Sequence, residues 1–410
     1  MTSFSDIFRR AVQSAVFPNV KLTNQNCTTY RGEKCRICTA IDLAYKDEIT
    51  IKEKAFTEFW KSNRLPGSPE KMISSPIGRG YRTVSKRRVF RDGNGQTLLG
   101  LTDISESGRI RPLDVIACAI EPAAHTQIYR HIQQFLASRE GATLSSSLSH
   151  VVIKGSYDEY WIIFNMEDAS REINGSVTRL SKGLTAVVKN ISGLFYVVEE
   201  RSKYYLSDRA HEDFRKIYGK NEVYLKIRDL SMLFSPLAFS QTNASIVETM
   251  VDKAMELLKF NPDEILYDLY SGFGLFGLSA AKRVHHVTGI ESSPAAVKAA
   301  KSNAARNKIS NVRFYKEKIT SDSLGKLAPK RSASSVVILD PPRNGTAPGV
   351  IEFLAEQYPK KILHIFCEAD LIPAELKRWT QNGYRVSHVV PLDMFPATEH
   401  IETMVLLEPK

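Results

Sequence analysis

From about Ser240 to the end, short apolar runs alternate with stretches of helical spacing. Asn243–Lys259 carries Ile246, Met250, Ala254, Leu257 and Leu258 at helical intervals. Ile265–Leu269 then reads as a strand, followed by a glycine-rich turn and a helix near Phe276–Arg283. His286–Glu291, Val312–Glu317, Ser335–Asp340 and Ile362–Cys367 read as further strands. Between them lie the helical segments Pro294–Lys308, Pro348–Tyr358 and Pro373–Thr380, and Arg385–Val390 and Ile401–Leu407 close the series as strands. Strand–helix alternation of this kind builds a doubly wound α/β sheet that places its ligands at the carboxyl ends of the strands.

The preceding half has another rhythm. His150–Lys154, Glu159–Phe164, Leu194–Val198 and Val223–Ile227 are alternating, β-branched or aromatic runs. Asn174-Gly175 and Ser192-Gly193 read as breaks between them, so a mainly antiparallel sheet is expected. The change near 235–240 divides the chain into residues 1–237 and 238–410. No period of 20–50 residues repeats, which excludes a solenoid.

Of the 410 residues, 56 are Lys or Arg and 45 are Asp or Glu, a formal charge of +11. That excess points to a polyanionic partner. Five cysteines exclude a disulfide-dense scaffold. No apolar run is long enough to span a membrane. Arg9 and Arg10 interrupt what would be the apolar core of a secretory signal, so the first residues read instead as a weakly amphipathic surface helix. A reducing cytoplasm and a monomeric state are the expectations.

The segment Asp268-Leu-Tyr-Ser-Gly272-Phe-Gly274-Leu-Phe-Gly277 follows the first strand of the alternating half. Its glycines fit the dinucleotide fingerprint, and a nicotinamide enzyme must be weighed. Asp268 stands just before the turn, where it repels a pyrophosphate and welcomes an ammonium. Glu291 ends the second strand, placed to accept ribose hydroxyls. Asp340-Pro-Pro-Arg343 ends the fourth, a feature nicotinamide folds do not require. S-adenosylmethionine, with a ribose and an amino-acid head but no phosphate, suits a glycine turn beside carboxylates.

Cys27, Cys35 and Cys38 are spaced C-x7-C-x2-C, and Cys118 follows after 79 residues. Zinc sites more often use two close pairs, whereas iron–sulfur clusters accept three ligands plus one. The spacing differs from the C-x3-C-x2-C run of radical enzymes that cleave S-adenosylmethionine. Cys367 stands apart at the carboxyl end of a strand, where a lone thiol is a candidate nucleophile.

Together these residues resemble the RNA uracil-5-methyltransferase family, over nearly the whole chain. The shared features fall in order: Cys27, Cys35, Cys38 and Cys118; Phe239-Ser-Gln241-Thr-Asn243; Asp268-Leu-Tyr-Ser-Gly272; Asp340-Pro-Pro-Arg343; Cys367; and Met394-Phe-Pro396 with Thr398, His400 and Glu402. The resemblance implies a C-terminal Rossmann-like class I methyltransferase domain, preceded by a mainly β RNA-binding domain with a four-cysteine iron–sulfur site. The cysteine spacing is similar to the branch acting on 23S ribosomal RNA, and to its shorter members without an N-terminal β-barrel extension. By this resemblance Cys367 is the nucleophile and Glu402 the general base. Gln241, Tyr270, Gly272, Glu291 and Asp340 bind S-adenosylmethionine, and the four N-terminal cysteines hold a [4Fe-4S] cluster. Two positions depart from the family: Glu368 follows the nucleophile where Asn or Asp is usual, and Lys318 replaces an expected Asp or Asn near the adenine.

A uridine in a stack hides its carbons, so the target is a loop or is flipped out. Phe239 is the candidate stacking platform. Arg79–Arg91 holds six basic residues in thirteen with two aromatics, and Arg82 and Lys86, with Arg343, are candidate RNA contacts. Ribosomal RNA is favoured over transfer RNA as the partner. Two other readings stay open. One is an amino-methyltransferase built on the Asp340 turn, which needs neither Cys367 nor Glu402; the other is an inactive RNA-binding assembly factor, hinted at by Glu368.

Overall fold

Strands covered by helices on both faces must be apolar on both sides, and β13 below is buried along its whole length. The computed structural model describes residues 2–14, 27, 35, 37–104, 110–199, 214–220, 222–234, 236, 240–327 and 334–410. Sixteen strands are described, in three sheets. β1 (Ser85–Arg91), β2 (Thr97–Ile104), β3 (Ile110–Asp114), β4 (Leu148–Gly155), β5 (Tyr160–Met166), β6 (Ile191–Val198) and β7 (Arg215–Gly219) form the first. β8 (Val223–Ile227) and β9 (Leu230–Phe234) form a hairpin. The last sheet contains β10 (Ile265–Leu269), β11 (His286–Glu291), β12 (Val312–Lys316), β13 (Ser335–Leu339), β14 (Lys361–Phe366), β15 (Tyr384–Leu392) and β16 (Glu402–Pro409).

The C-terminal sheet runs β12-β11-β10-β13-β14-β16-β15. β10 to β14 are parallel neighbours, and β16 lies antiparallel between β14 and β15. Strand order reverses between β10 and β13, which opens the crevice where such sheets bind ligands. The strand–helix alternation expected after Ser240 is present. One face packs on the helices Phe4–Ser14 and Tyr45–Ser62, whose Phe4, Phe56, Phe59 and Trp60 share a core with Val337, Leu339 and Trp379. Burying each such side chain contributes roughly 1.5–3 kcal/mol. The first of these helices was expected, and it packs through Phe4, Ile7 and Phe8.

The N-terminal sheet, β3-β2-β1-β4-β5-β6-β7, is mainly antiparallel as expected, with one parallel pair, β5 and β6. The helix Arg171–Val187 makes that crossover. Asn174-Gly175 is therefore not a break between strands but lies inside this helix, and Ser192-Gly193 lies inside β6. Turn-forming residue types point the wrong way here. Ile173, Val177, Leu180 and Leu184, all buried at helical spacing, carry the stronger signal.

The two sheets meet at the segment 240–246. Arg82 forms a β-bridge with Asn243, and the Thr83 amide donates to the Thr242 carbonyl at 2.8 Å. The Ser245 amide donates to the Tyr157 hydroxyl at 3.1 Å. Among the described residues, no helix is long and apolar enough to cross a membrane.

Candidate active site at the carboxyl edge of the C-terminal sheet

The turn after β10 reverses within five residues by placing Tyr270, Gly272 and Gly274 at φ 62°, 53° and 89°. A side chain on Gly272 would meet nothing within 4 Å, so the turn faces open space. Gly277 is required for a different reason. Its amide donates to Asp268 Oδ2 at 2.8 Å, and a Cβ there would lie 2.8 Å from the same oxygen. At the end of β11, Glu291 accepts from the amides of Gly272 (3.1 Å) and Ser293 (2.7 Å). A carboxylate has about four acceptor positions, which leaves capacity for hydroxyls of a ligand. The Ser271 hydroxyl is buried without a partner beside this turn.

Tyr270, Gly272, Glu291 and Asp340, all expected to bind S-adenosylmethionine, thus share the edge of β10, β11 and β13. Gln241 lines a separate cavity with residues of the β8–β9 hairpin and with Phe273 of the same turn. Lys318 and Glu317, both exposed, follow β12 next to Glu291, to whose carbonyl the Glu317 amide donates at 2.9 Å.

Cys367 and Glu402 come together because β16 is antiparallel. Phe366 pairs with Thr403, so the first residue of β16 lies at the edge where β14 ends. Cys367 Sγ faces the Pro341 carbonyl at 3.7 Å. Glu402 is 3% exposed, and its Oε2 has no hydrogen-bond partner. Burial, then the charges of Glu402 and Asp340, push the Cys367 thiol up to about 12, against the opposing pull of Arg343. Glu368 adds a further upward push. Burial also lifts Asp340 and Asp268 to about 7. Glu402 is held well above the ordinary carboxylate range by burial and Asp340, with Arg343 pulling it down. Four acids therefore crowd one edge, and the exposed Arg343 opposes the retention of protons by Cys367 and Glu402.

A buried network that sequence reasoning missed holds the loop before Glu402. Lys52 Nζ, fully enclosed, donates to Asp393 Oδ1 (2.7 Å) and to the carbonyls of Phe395 (3.2 Å) and His400 (3.4 Å). The Tyr45 hydroxyl donates to Asp393 Oδ2 at 2.9 Å. Glu48 accepts from the Ala397 amide (2.5 Å) and from Arg79 (2.8 Å). Asn243 Nδ2 donates to the Met394 carbonyl at 3.1 Å. No local pattern signals a pair such as Lys52 and Asp393.

Cys27, Cys35, Cys38 and Cys118 line one small pocket with Ile41, Val115, Ala117 and Ala119. Cys38 packs with Tyr81 and Ala397 and so adjoins the same loop. Burial, then the charges of the other three thiols, raise the Cys38 thiol. Among the described residues, no group of three or more potential ligands is placed to hold a metal ion.

The basic run Arg79–Arg91 splits. Arg79 pairs with Glu48, and Arg87, fully buried, pairs with both oxygens of Glu121 at 2.9–3.0 Å. Tyr81 is buried and serves packing. Arg82 and Lys86 line a recess beside Ser240 and Thr242. Phe239 lies outside the described residues.

The family model for tRNA (uracil-5-)-methyltransferase matches residues 207–410. An uncharacterized RNA methyltransferase of Caldanaerobacter subterraneus subsp. tengcongensis is 35% identical over 389 residues, covering 92% of this chain and 83% of the relative. The chain belongs to the RNA uracil-5-methyltransferase family. This methyltransferase is also 28% identical, over 98% of its length and 86% of the relative's, to a 23S rRNA (uracil(1939)-C(5))-methyltransferase of Aeromonas hydrophila. Among solved structures, the Pyrococcus abyssi tRNA (uracil-54, C5)-methyltransferase in complex with S-adenosyl-L-homocysteine shares the fold. Its TM-score is 0.69 at 22% identity, covering 91% of this chain and 84% of the other.

Proposed function

We propose that this enzyme methylates carbon 5 of a uridine in RNA, with 23S ribosomal RNA as the substrate, through a covalent adduct between Cys367 and the uracil. The observation that carries this reading is the meeting of Cys367 and Glu402 at one strand edge, beside the turn of Asp340. An amino-methyltransferase has no use for that pair. The Aeromonas relative supports the ribosomal substrate.

Carbon 5 of uracil is a weak nucleophile. Cys367 Sγ adds to carbon 6, and the electrons of the carbon 5–carbon 6 double bond move out to the carbon 4 oxygen as an enolate. S-adenosylmethionine supplies an electrophilic methyl on a sulfonium. Carbon 5 takes that methyl as the sulfonium carbon–sulfur bond breaks. Glu402 then removes the carbon 5 hydrogen as a proton, the enolate re-forms, and elimination expels Cys367 as thiolate. Gln241, Tyr270, Gly272, Glu291 and Asp340 hold the methyl donor, and proximity replaces a bimolecular encounter. In the free protein the thiol and carboxyls retain protons, because burial and like charge both oppose ionisation. The donor's cationic sulfonium beside these acids favours their ionised forms, so the protons of Cys367 and Glu402 pass to solvent before the thiolate adds and leave Glu402 able to act as base.

Cys27, Cys35, Cys38 and Cys118 would hold the [4Fe-4S] cluster. Four thiols around one apolar pocket support this. The cluster would supply a structural tie, neutralising thiolates that otherwise repel. RNA contacts fall to Arg82, Lys86, Arg343 and Phe239. Residues 1–237 thus bind RNA and cluster, and residues 238–410 transfer the methyl group in a monomeric cytoplasmic enzyme.

RNA containing 5-fluorouridine tests the chemistry, since fluorine cannot leave as a cation and the adduct is trapped. A denaturation-resistant protein–RNA complex through Cys367 is expected. Normal product formation without any such complex overturns the covalent step.

A further inference from the structure

A recess of about 220 Å³ opens at the seam between β1, β4 and the segment 240–242. Arg82, Lys86 and Lys154 supply its charge, and Ser240 and Thr242 its hydroxyls; no carboxylate is among its described lining residues. Lys154 is 4% exposed and stands at the end of the apolar run of β4, whereas Lys86 is exposed at the rim. The Ser240 and Thr242 hydroxyl oxygens are buried without hydrogen-bond partners. Ser240, 6% exposed, lines both this recess and the cavity that contains Gln241. Arg82 is also close enough to His400, two residues before Glu402, for its charge to lower the imidazole's basicity, after burial and Arg343. Three cations beside buried, unsatisfied hydroxyls are the composition of an anion site.

We propose that this recess binds one backbone phosphate of the RNA strand, next to the nucleotide under reaction, with Lys154, Lys86 and Arg82 as its cations and Ser240 and Thr242 as hydroxyl donors. The proposal rests on RNA being the substrate and deepens that reading. Burial pushes the Lys154 ammonium down to about 8, which a bound phosphate reverses. A strand fixed there enters the site at the seam, and its next nucleotide faces the edge holding Cys367 and Glu402. The phosphate fixes register without reading sequence.

The test is binding of a mixed-sequence 15-nucleotide single-stranded RNA to the full chain across a salt series. For each phosphate that the protein no longer neutralises, the slope of log affinity against log salt falls by about 0.7. Lys154→Gln and Lys86→Gln should each weaken binding about tenfold at low salt, and the two combined with Arg82→Gln, which leave the one phosphate without a cation, should lower the slope by one such step. Ser240→Ala should weaken binding about threefold with the slope unchanged, because a neutral donor releases no counterion. Lys301→Gln, the same charge change on an exposed helix of the other sheet, should leave both unchanged. S-adenosylmethionine affinity and the melting temperature verify that each variant is folded. If Lys154→Gln misfolds, Lys86→Gln and Ser240→Ala carry the test. Unchanged affinity and slope in folded Lys86→Gln and Lys154→Gln overturn the proposal. So does inorganic phosphate that binds the recess while RNA affinity ignores all three substitutions. Nucleoside analysis of the product reads the reaction separately, so the recess and the uracil chemistry can fail independently.

Discussion

The two sheets present opposite chemistry toward the space between them. The carboxyl edge of the C-terminal sheet gathers Asp268, Asp340, Cys367 and Glu402, all groups that become negative on losing a proton. The recess beside β1 and β4 of the N-terminal sheet gathers Arg82, Lys86 and Lys154. Crowded acids can escape repulsion by keeping their protons, but a guanidinium has no such exit. The acid edge therefore holds its protons more tightly than free acids and gives them up when a cation arrives, whereas the recess keeps the fixed charge of Arg82 beside two lysines whose protons burial loosens. One side is suited to timing a reaction and the other to holding a strand.

Breaking the acid edge should have the largest effect. Cys367→Ala should lower turnover on the order of 10⁴-fold or more while S-adenosylmethionine still binds by calorimetry. Next, Glu402→Gln should lower turnover about 10²–10⁴-fold and accumulate covalent protein–RNA complex on ordinary RNA, visible on a denaturing gel, because elimination waits for the proton. The same substitution removes a like charge, so alkylation of Cys367 should move to lower pH. Absence of both changes would detach Glu402 from the thiol.

Lys52→Met leaves Asp393 buried without its cation, while Glu48 keeps Arg79, and should cost about 3–5 kcal/mol of stability in urea unfolding. The smallest effect sharpens the electrostatic contrast. Asp268 rises from its ordinary 3.8 to about 7 on folding. Its neutral form favours the native state fully below about pH 4, and that advantage is lost as pH rises through 7. Asp268→Asn should therefore flatten the melting temperature against pH between 4 and 7.

The strand–helix alternation and the residues at the carboxyl edge were legible in the sequence because both obey local rules: apolar period, glycine turns and strand-end polar residues. Cys367 was legible as a strand-end thiol, whereas Glu402 was named through the family resemblance. Their adjacency was not, since it depends on β16 inserting antiparallel beside β14. The basic run was legible as a run but not in its parts. Nothing near Arg87 announces its pairing with Glu121, 34 residues away. Lys154 was visible only as a cation closing an apolar strand, and Ser240 acquires meaning only when two sheets meet over it. Asn174-Gly175 shows the converse error, where turn-prone residue types outweighed the amphipathic spacing around them.

The clasp of Lys52 and Glu48 on the loop 393–397 bears on how the protein is made. The thiol of Cys367 leaves the ribosome before the carboxyl of Glu402, and the loop steering that carboxyl closes only on a helix synthesised some 340 residues earlier. A nascent chain thus carries its nucleophile in an unfinished pocket, and competence arises in one late event when distant stretches of the polypeptide lock together.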